Sequence, residues 1–228
     1  MQRPLAEAHV GTAFAVNATA VHNLASAARA CQARFIHIST DYVFDGTNKT
    51  PYKEQDYTNP QSVYGRTKVS GELLALAANP DSVIIRTSWL FSEYGNNFVK
   101  TMLRLAGERD NLSIVHDQTG CPTYAGDLAQ AIITLLQRPV APRGIYHYGG
   151  NKSVTWYEFA QAIFQTAQQH DPQFKIPQLN AITTDQYPLP APRPVYSIMD
   201  CQKIENECSI KASDWQKALN EIIGKLDN

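Results

Sequence analysis

The chain has 228 residues, of which 43% are hydrophobic, and its formal net charge is −1 at pH 7. A chain of this length buries one large core with room for a smaller lobe, and its interspersed charges exclude nucleic acid or an anionic membrane as the main partner. No apolar run approaches the roughly 18 residues of a membrane-spanning helix. The first residues lack the apolar core of a signal peptide, so we expect a cytoplasmic protein.

The first elements are a helix and a strand. The alanine-rich segment from Phe14 to Ala33 predicts a helix. The β-forming run that follows predicts a buried strand, and it ends in two hydroxyls and a carboxylate, Ser39, Thr40 and Asp41. Ligands of doubly wound sheets bind outside the carboxyl ends of the strands, so these three residues are candidates for a site. On their own they are also typical of a polar strand exit that caps a turn.

The next helix carries a tyrosine and a lysine four residues apart. After an irregular polar segment up to Pro60, the pattern predicts a helix at 61–78 that contains Tyr64 and Lys68. At this spacing both side chains lie on one helix face with Cβ atoms about 5–6 Å apart. The ammonium lowers the pKa of the phenol, which makes it a better proton donor. Taken alone, such a pair is more often a packed tyrosine beside a solvated lysine.

The remaining pattern continues to alternate strands with helices. The predicted elements are a strand at 82–90, a helix at 97–108, a strand at 112–115, a loop at 117–126, a helix capped by Asp127 and ending at Leu136, a strand from Gly144, a helix at 156–168 introduced by Thr155, a proline-rich loop at 187–194 and a helix at 213–226. Alternation of this kind predicts a parallel sheet with right-handed crossovers. Residues 144–228 are expected to form a smaller lobe.

Apolar positions on the first two helices are expected to face the core. They are Val16, Ala20, Leu24, Ala27 and Ala28 on the first helix and Val69, Leu73, Leu74 and Leu76 on the second. His37 and His147 lie in apolar strand-like runs and are interpreted as structural histidines with satisfied hydrogen bonds. The four cysteines have neither metal-finger nor C-x-x-C spacing, which favours reduced thiols and predicts no metal site.

Three features occur in one order: a hydroxyl pair at a strand end, a Tyr-x-x-x-Lys helix, and a strand after that helix. This order is typical of short-chain dehydrogenases. Further segments narrow the resemblance, and they are His37–Gly46, Asn59–Gly65, Arg86–Phe91, Gly95–Phe98, Asp117–Asp127 and Arg193–Ser197. From about Phe14 to the C-terminus the chain closely resembles the dTDP-4-dehydrorhamnose reductases, a family of the extended short-chain dehydrogenase group.

The resemblance implies reduction of a C4 ketone by hydride from NADPH or NADH. Tyr64 would be the general acid, Lys68 would lower its pKa and hold the nicotinamide ribose, and Thr40 would bind the reacting carbonyl oxygen. Ser39 and Tyr64 would also contact the cofactor. The implied fold class is α/β, a truncated Rossmann-like doubly wound parallel sheet, with residues 1–143 as the dinucleotide-binding domain and 144–228 as the substrate-binding lobe.

The implied partner is a dTDP-sugar. Its candidate contacts are Asp41, Tyr42, Trp89, Asn97 and Arg193. The residue types alone are equally typical of structural roles, in which Trp89 is a core tryptophan, Asn97 a helix N-cap and Arg193 part of a loop salt bridge.

The 228 residues contain no strand followed by a G-x-x-G-x-x-G turn and a helix, the element that receives the cofactor pyrophosphate in dinucleotide-binding folds. We infer that roughly the first sixty residues of the family pattern lie outside these residues. We therefore expect impaired cofactor binding, and activity that is weak or lost. We also expect the strand at Phe35–Ser39 to expose an edge that favours self-association into a homo-oligomer.

Two other functions remain open. The first is a non-catalytic regulatory or binding protein on the same fold, like the regulatory subunit of methionine adenosyltransferase. The lack of the glycine-rich turn favours it, whereas the presence of Thr40, Tyr64 and Lys68 argues against it. The second is a related nucleotide-sugar epimerase or dehydratase, although the surroundings of Trp89 and Arg193 fit a reductase better.

Overall fold

A computed structural model describes residues 3–188 and 193–226. The helices are α1 Arg3–Ala8, α2 Val10–Phe14, α3 Ala20–Ala30, α4 Val63–Ala78, α5 Phe98–Glu108, α6 Ala125–Gln137, α7 Trp156–His170, α8 Gln202–Cys208 and α9 Trp215–Leu226. The strands are β1 Ile36–Thr40, β2 Val83–Thr87, β3 Leu90–Phe91, β4 Asn111–Val115, β5 Thr119–Gly120, β6 Thr123–Tyr124, β7 Gly144–His147, β8 Val154–Thr155 and β9 Gln178–Ile182. The predicted loop at 117–126 thus contains two short strands.

The central sheet has the order β1-β2-β7, and both pairings are parallel. Val21 and Ala25 of α3 pack with Ala75 of α4 on one face, while α6 and α8 contribute Leu135 and Ile204 to the other. Helices on both faces of a parallel sheet confirm the predicted doubly wound α/β class. Strand β7, which the predicted boundary assigns to the second lobe, pairs with β2 of the sheet; the division into 1–143 and 144–228 stays a prediction.

A second hydrophobic core lies beside the sheet. Helices α5, α7 and α9 pack around aromatic side chains that include Phe91, Phe159 and Trp215. Helix α7 begins with a capping box in which Thr155 accepts from the Glu158 amide and Glu158 accepts from the Thr155 amide, as predicted for Thr155. This core holds the aromatic wall of the candidate site described below.

Four large apolar side chains predicted to face the core are exposed instead. Their exposed fractions are 47% for Val16, 61% for Leu24, 64% for Leu73 and 37% for Leu74. The buried residues of α3 and α4 include small ones, among them Ala25, Gly71 and Ala75. Small side chains allow these helices to lie close to their neighbours, and helical periodicity does not show this.

The predicted cap of α6 is also wrong. The helix begins after Tyr124, and Asp127 lies inside the first turn. Its carboxylate accepts a 2.6 Å hydrogen bond from Ser213 Oγ, a partner 86 residues away. A carboxylate in the first turn still complements the helix dipole.

All four cysteines are free thiols, consistent with the predicted reduced state. None of the helices in the described part of the chain is both long and apolar enough to cross a membrane.

Helix α4 packs against the N-terminal helical segment at a glycine, so that the two backbones are in direct contact. Between α2 and α3 the chain forms a π-helical turn, Ala15–Thr19, and Asn17 in this turn donates a 3.0 Å hydrogen bond to Thr67 Oγ1. A Cβ atom on Gly71 would lie only 2.1 Å from the Asn17 carbonyl oxygen. Glycine is therefore required at this crossing.

Replacing Gly71 with alanine is expected to lower the free energy of unfolding by about 1–3 kcal/mol, because backbone must move to accept the methyl group. Gly107, also inside a helix, has nothing within 4 Å of the position that a Cβ atom would take. Gly107→Ala is therefore the control, with a gain of up to about 1 kcal/mol from helix propensity. Urea denaturation measures both variants; similar midpoints for the two would contradict the close crossing.

Candidate active site

Two side chains cap the start of α4, the hydroxyl of Ser62 and the carboxylate of Glu7. Ser62 Oγ accepts a 3.0 Å hydrogen bond from the Gly65 amide. The carboxylate of Glu7 on α1 accepts the amides of Val63 and Tyr64, each at 3.1 Å. These bonds satisfy amides that the first turn of a helix leaves without partners. The backbone of Tyr64 is thereby fixed.

The Tyr64 ring lies beside the residues that follow β1. It packs edge-on against Tyr42, with ring centroids 5.7 Å apart, and Tyr42 belongs to the 3₁₀ turn Asp41–Val43. A Cβ atom on Gly65 would lie 2.2 Å from the Tyr42 carbonyl oxygen. The glycine after Tyr64 is therefore what lets α4 approach the carboxyl end of β1.

Lys68 is buried against β1. Its Nζ donates a 2.6 Å hydrogen bond to the Ile38 carbonyl and lies 3.1 Å from His37 Nε2. Burial lowers the pKa of Lys68 to about 8, and the nearby Glu72 carboxylate opposes this fall. Burial and the Lys68 charge lower the pKa of His37 to about 4. His37 is therefore neutral at pH 7 and accepts a hydrogen bond from the ammonium.

The hydroxyls at the end of β1 point to carboxylates. Thr40 Oγ1 donates a 2.9 Å hydrogen bond to Asp41 and accepts one of 3.3 Å from the Tyr42 amide. Ser39 Oγ donates to Glu72 Oε1. Ser39, Thr40 and Asp41 are all buried. The structure thus brings Thr40, Tyr64 and Lys68 to one end of β1.

Trp89 occupies a strained position. Its φ angle is +49°, which is unusual for a bulky residue and marks a conformation held by its surroundings. The indole stacks on Trp156 at 3.5 Å between ring centroids and 6° between planes. A Cβ atom on Gly120 would lie 2.4 Å from the Trp89 ring. The glycine therefore makes room for the stack.

Arg193 lies between this stack and the residues at the start of α4. Its guanidinium carbon lies 5.3 Å from the centre of a Trp156 ring. The same residue lines a cavity of about 300 Å³ together with Tyr42, Ser62 and Phe44. Tyr42 in turn packs on Tyr64. Arg193 and Tyr42 therefore face one cavity between the aromatic stack and the start of α4.

Asn97 is the N-cap of α5, which confirms its structural interpretation. Its Oδ1 accepts from the Lys100 amide at 3.2 Å, and its Nδ2 donates to the Ser92 carbonyl at 2.6 Å. The following residue, Phe98, packs on Trp156 with centroids 4.6 Å apart. The cap thus supports the aromatic stack from behind.

Sequence reasoning missed several residues of this site. Trp156 could have been noticed as an aromatic at the first position of a capped helix, and Glu72 as a carboxylate one turn after Lys68. No sequence signal links Glu7 to Tyr64, because the two are 57 residues apart. Among the described residues, no group of His, Cys, Asp or Glu could hold a metal ion.

The whole chain is similar to a known family. The family model described as RmlD substrate binding domain matches residues 4–228. A curated relative, dTDP-4-dehydrorhamnose reductase of Aggregatibacter actinomycetemcomitans, is 48% identical over 221 residues, which cover 95% of this chain and 75% of the relative.

Solved structures show the same likeness. A dTDP-4-dehydrorhamnose reductase from Clostridium acetobutylicum has a TM-score of 0.92 at 37% identity, covering 100% of this chain and 78% of that one. The dTDP-4-dehydrorhamnose reductase from Bacillus anthracis, solved in complex with NADP, has a TM-score of 0.87 at 35% identity, covering 96% and 75%. Sequence and fold are thus similar over almost all of the chain.

Gly120→Ala is expected to push the Trp89 indole off Trp156 and to weaken the exciton couplet that two stacked indoles give in far-UV circular dichroism. Gly149→Ala is the control, because the atom nearest to the Cβ position at Gly149 is 3.8 Å away. Trp89→Phe should abolish the couplet. A couplet of wild-type strength in Gly120→Ala would contradict the proposed packing.

His37→Gln is expected to flatten the loss of stability in acid. A folded pKa of about 4 lies below the ordinary value of 6.5, so the neutral imidazole contributes stability above pH 6.5 that is lost as the pH falls through about 4. This loss amounts to about 3 kcal/mol, and glutamine, which does not titrate, removes it. Urea denaturation between pH 7 and pH 4 tests this, and equally steep profiles in both proteins would refute it.

Proposed function

Because the chain belongs to the dTDP-4-dehydrorhamnose reductase family, we propose that it reduces the C4 ketone of dTDP-4-dehydro-L-rhamnose to give dTDP-L-rhamnose. The observation that carries this proposal is that Thr40 ends β1, that the Tyr64 ring packs on Tyr42 just after it, and that Lys68 is bonded to the Ile38 carbonyl of the same strand. A hydroxyl, a phenol and a buried ammonium in this order suit proton transfer to a carbonyl oxygen.

The proposed reductant is NADPH or NADH, and the relative from Bacillus anthracis was solved with NADP. Two features of this chain fit the nicotinamide end. Thr87 Oγ1, paired in register with Thr40, is buried and has no hydrogen-bond partner among the described residues. Lys68 uses two of its three N–H donors, which leaves one for a ribose hydroxyl. When bound, the nicotinamide supplies the hydride.

The chain's own residues supply the proton and the orientation. Tyr64 donates its phenolic proton to the oxygen that becomes the hydroxyl. Lys68, largely charged at pH 7 with a pKa of about 8, stabilises the phenolate left behind. Thr40, which donates its hydroxyl proton to Asp41 in this structure, would turn that proton to the carbonyl oxygen when the substrate binds. Ser39, whose hydroxyl proton is bound by Glu72, is proposed to contact the cofactor only through its lone pairs.

The dTDP-sugar is proposed to lie between the catalytic residues and the stacked indoles. The guanidinium of Arg193 suits the diphosphate, and the exposed face of the Trp89 stack suits the sugar or base. Asp41 and Tyr42 would contact the sugar on the side next to Tyr64. For Asn97, whose side chain is used in the cap, we propose the smaller role of fixing α5 behind the stack.

The 228 residues alone are proposed to bind the dinucleotide weakly, because they contain no G-x-x-G-x-x-G turn. A cytoplasmic location and homo-oligomer formation also belong to the proposal. In the described sheet β1 pairs only with β2, and such an edge favours association.

Tyr64→Phe is expected to lower kcat for reduction of dTDP-4-dehydro-L-rhamnose about 10²–10⁴-fold, because the general acid is lost. NADPH oxidation is followed at the highest practical cofactor concentration, with product identified by mass spectrometry. The control is Tyr57→Phe, since Tyr57 is 98% exposed. Equal rates for wild type and Tyr64→Phe, or no reduction by wild type, would contradict the proposal.

A further inference from the structure

Glu72 continues the helix face that carries Tyr64 and Lys68. The three residues follow one another at intervals of four along α4, so their side chains project from the same side of the helix. Glu72 is 2% exposed. A buried carboxylate one turn beyond a buried lysine is unusual enough to need a physical reason, because an uncompensated charge there would be costly.

The Glu72 carboxylate is bound from both neighbouring strands. Arg86 of β2 donates from Nη2 at 2.7 Å and from Nε at 3.0 and 3.2 Å. Ser39 of β1 donates to the other side of the same carboxylate. Arg86 is itself 2% exposed, and its guanidinium carbon lies 5.1 Å from the centre of the Phe44 ring. One side chain thus ties α4 to β1 and β2.

A gain in stability does not account for the buried Glu72–Arg86 ion pair. A buried pair loses hydration that its attraction barely repays, and apolar side chains of similar size often stabilise as much. What the arrangement does provide is a carboxylate one turn from Lys68 on the same helix face and a fixed distance between α4 and β1. Both bear on Lys68 and Tyr64, which share this face.

Groups from three elements lie near Lys68. From β1 there is neutral His37, 3.1 Å from Nζ, and along α4 Tyr64 and Glu72 lie one turn away on either side; Arg86 of β2 is bound to the Glu72 carboxylate. Glu72 is the group that raises the pKa of Lys68 against the effect of burial. The charged form of Lys68 is therefore favoured by the negative charge of Glu72 and by the hydrogen bond to the Ile38 carbonyl.

We propose that Glu72 is a positioning residue that keeps Lys68 charged and fixes the Ser39 hydroxyl at the carboxyl end of β1. This role rests on the proposed reductase function, but it concerns a residue that touches neither substrate nor cofactor. Arg86 supports this role, because its guanidinium pairs with the buried Glu72 carboxylate, which would otherwise be an unpaired charge.

The test is the titration of Lys68 in Glu72→Gln, followed by NMR of ¹³Cε-labelled lysine and assigned with Lys68→Met. We expect the Lys68 pKa to fall by about one unit from its value in the wild type. Glu108→Gln, which removes an exposed carboxylate paired with Arg104 on α5, should leave it unchanged. A Lys68 titration that is the same in Glu72→Gln and wild type would overturn the proposal.

Glu72→Gln leaves Arg86 without a charged partner and can impair folding. The double variant Glu72→Gln/Arg86→Gln removes both charges and leaves none unpaired. It should also show a lowered Lys68 pKa, although by less than Glu72→Gln, because the Arg86 charge that opposes the effect of Glu72 is removed as well. Glu72→Asp, which keeps the charge, should restore the titration in part.

Activity adds an independent readout. If Lys68 must be charged, kcat/KM falls as the pH rises through its pKa, and in Glu72→Gln this falling limb moves to lower pH by the same amount. Near pH 6 the variant should approach the wild-type rate. A rate reduced equally at every pH would indicate a purely structural role and overturn the proposal. The NMR titration requires no turnover. If the reductase assay fails, the titration therefore still tests the role of Glu72 separately from the proposed reductase function.

Discussion

The active-site helix α4 lies so close to the surrounding backbone that two of its residues can only be glycine. Gly65 faces the carbonyl of Tyr42 and Gly71 faces that of Asn17, at distances that exclude a methyl group. This close approach buries the next turns of the helix under β1. It explains why Lys68 and Glu72 are nearly without contact to water, and therefore why their electrostatics differ from those of surface residues.

Burial sets the protonation states on which the site depends. An ammonium that loses water gives up its proton more easily, and the same effect keeps the neighbouring His37 neutral. A neutral imidazole and a backbone carbonyl can both accept from Lys68, whereas a charged imidazole would repel it. The helix therefore carries a lysine that is charged near neutral pH and still close to losing its proton, which suits a group that stabilises a phenolate.

The parts that could be predicted from the sequence are those that depend on neighbours along the chain. The four-residue spacing of Tyr64 and Lys68, the capping box at Thr155 and the hydroxyls after β1 are local patterns. The stacking of Trp89 on Trp156 and the contact between Glu7 and Tyr64 join distant segments, so no periodicity shows them. Hydrophobic patterns predict large side chains such as Leu73 and Leu74 in the core, whereas close packing of α4 favours glycine and alanine there.

The structure also explains why a carboxylate next to Lys68 is easily overlooked. Glutamate one turn after lysine is typical of an exposed helix face, and only the position of Arg86, 14 residues further on, makes it a buried pair. Local sequence patterns are identical in both cases. The difference arises from the depth at which α4 packs.

The π-helical turn at Ala15–Thr19 has a consequence for comparing sequences. Such a turn holds one residue more than an α-helical turn, and within it the Asn17 carbonyl faces Gly71 of α4. In an alignment, a one-residue gap here would resemble harmless variation in length. In space it rotates the rest of the helix by about 100° and withdraws the support beneath the catalytic helix. Gaps in this segment should therefore be weighted as changes of the active site.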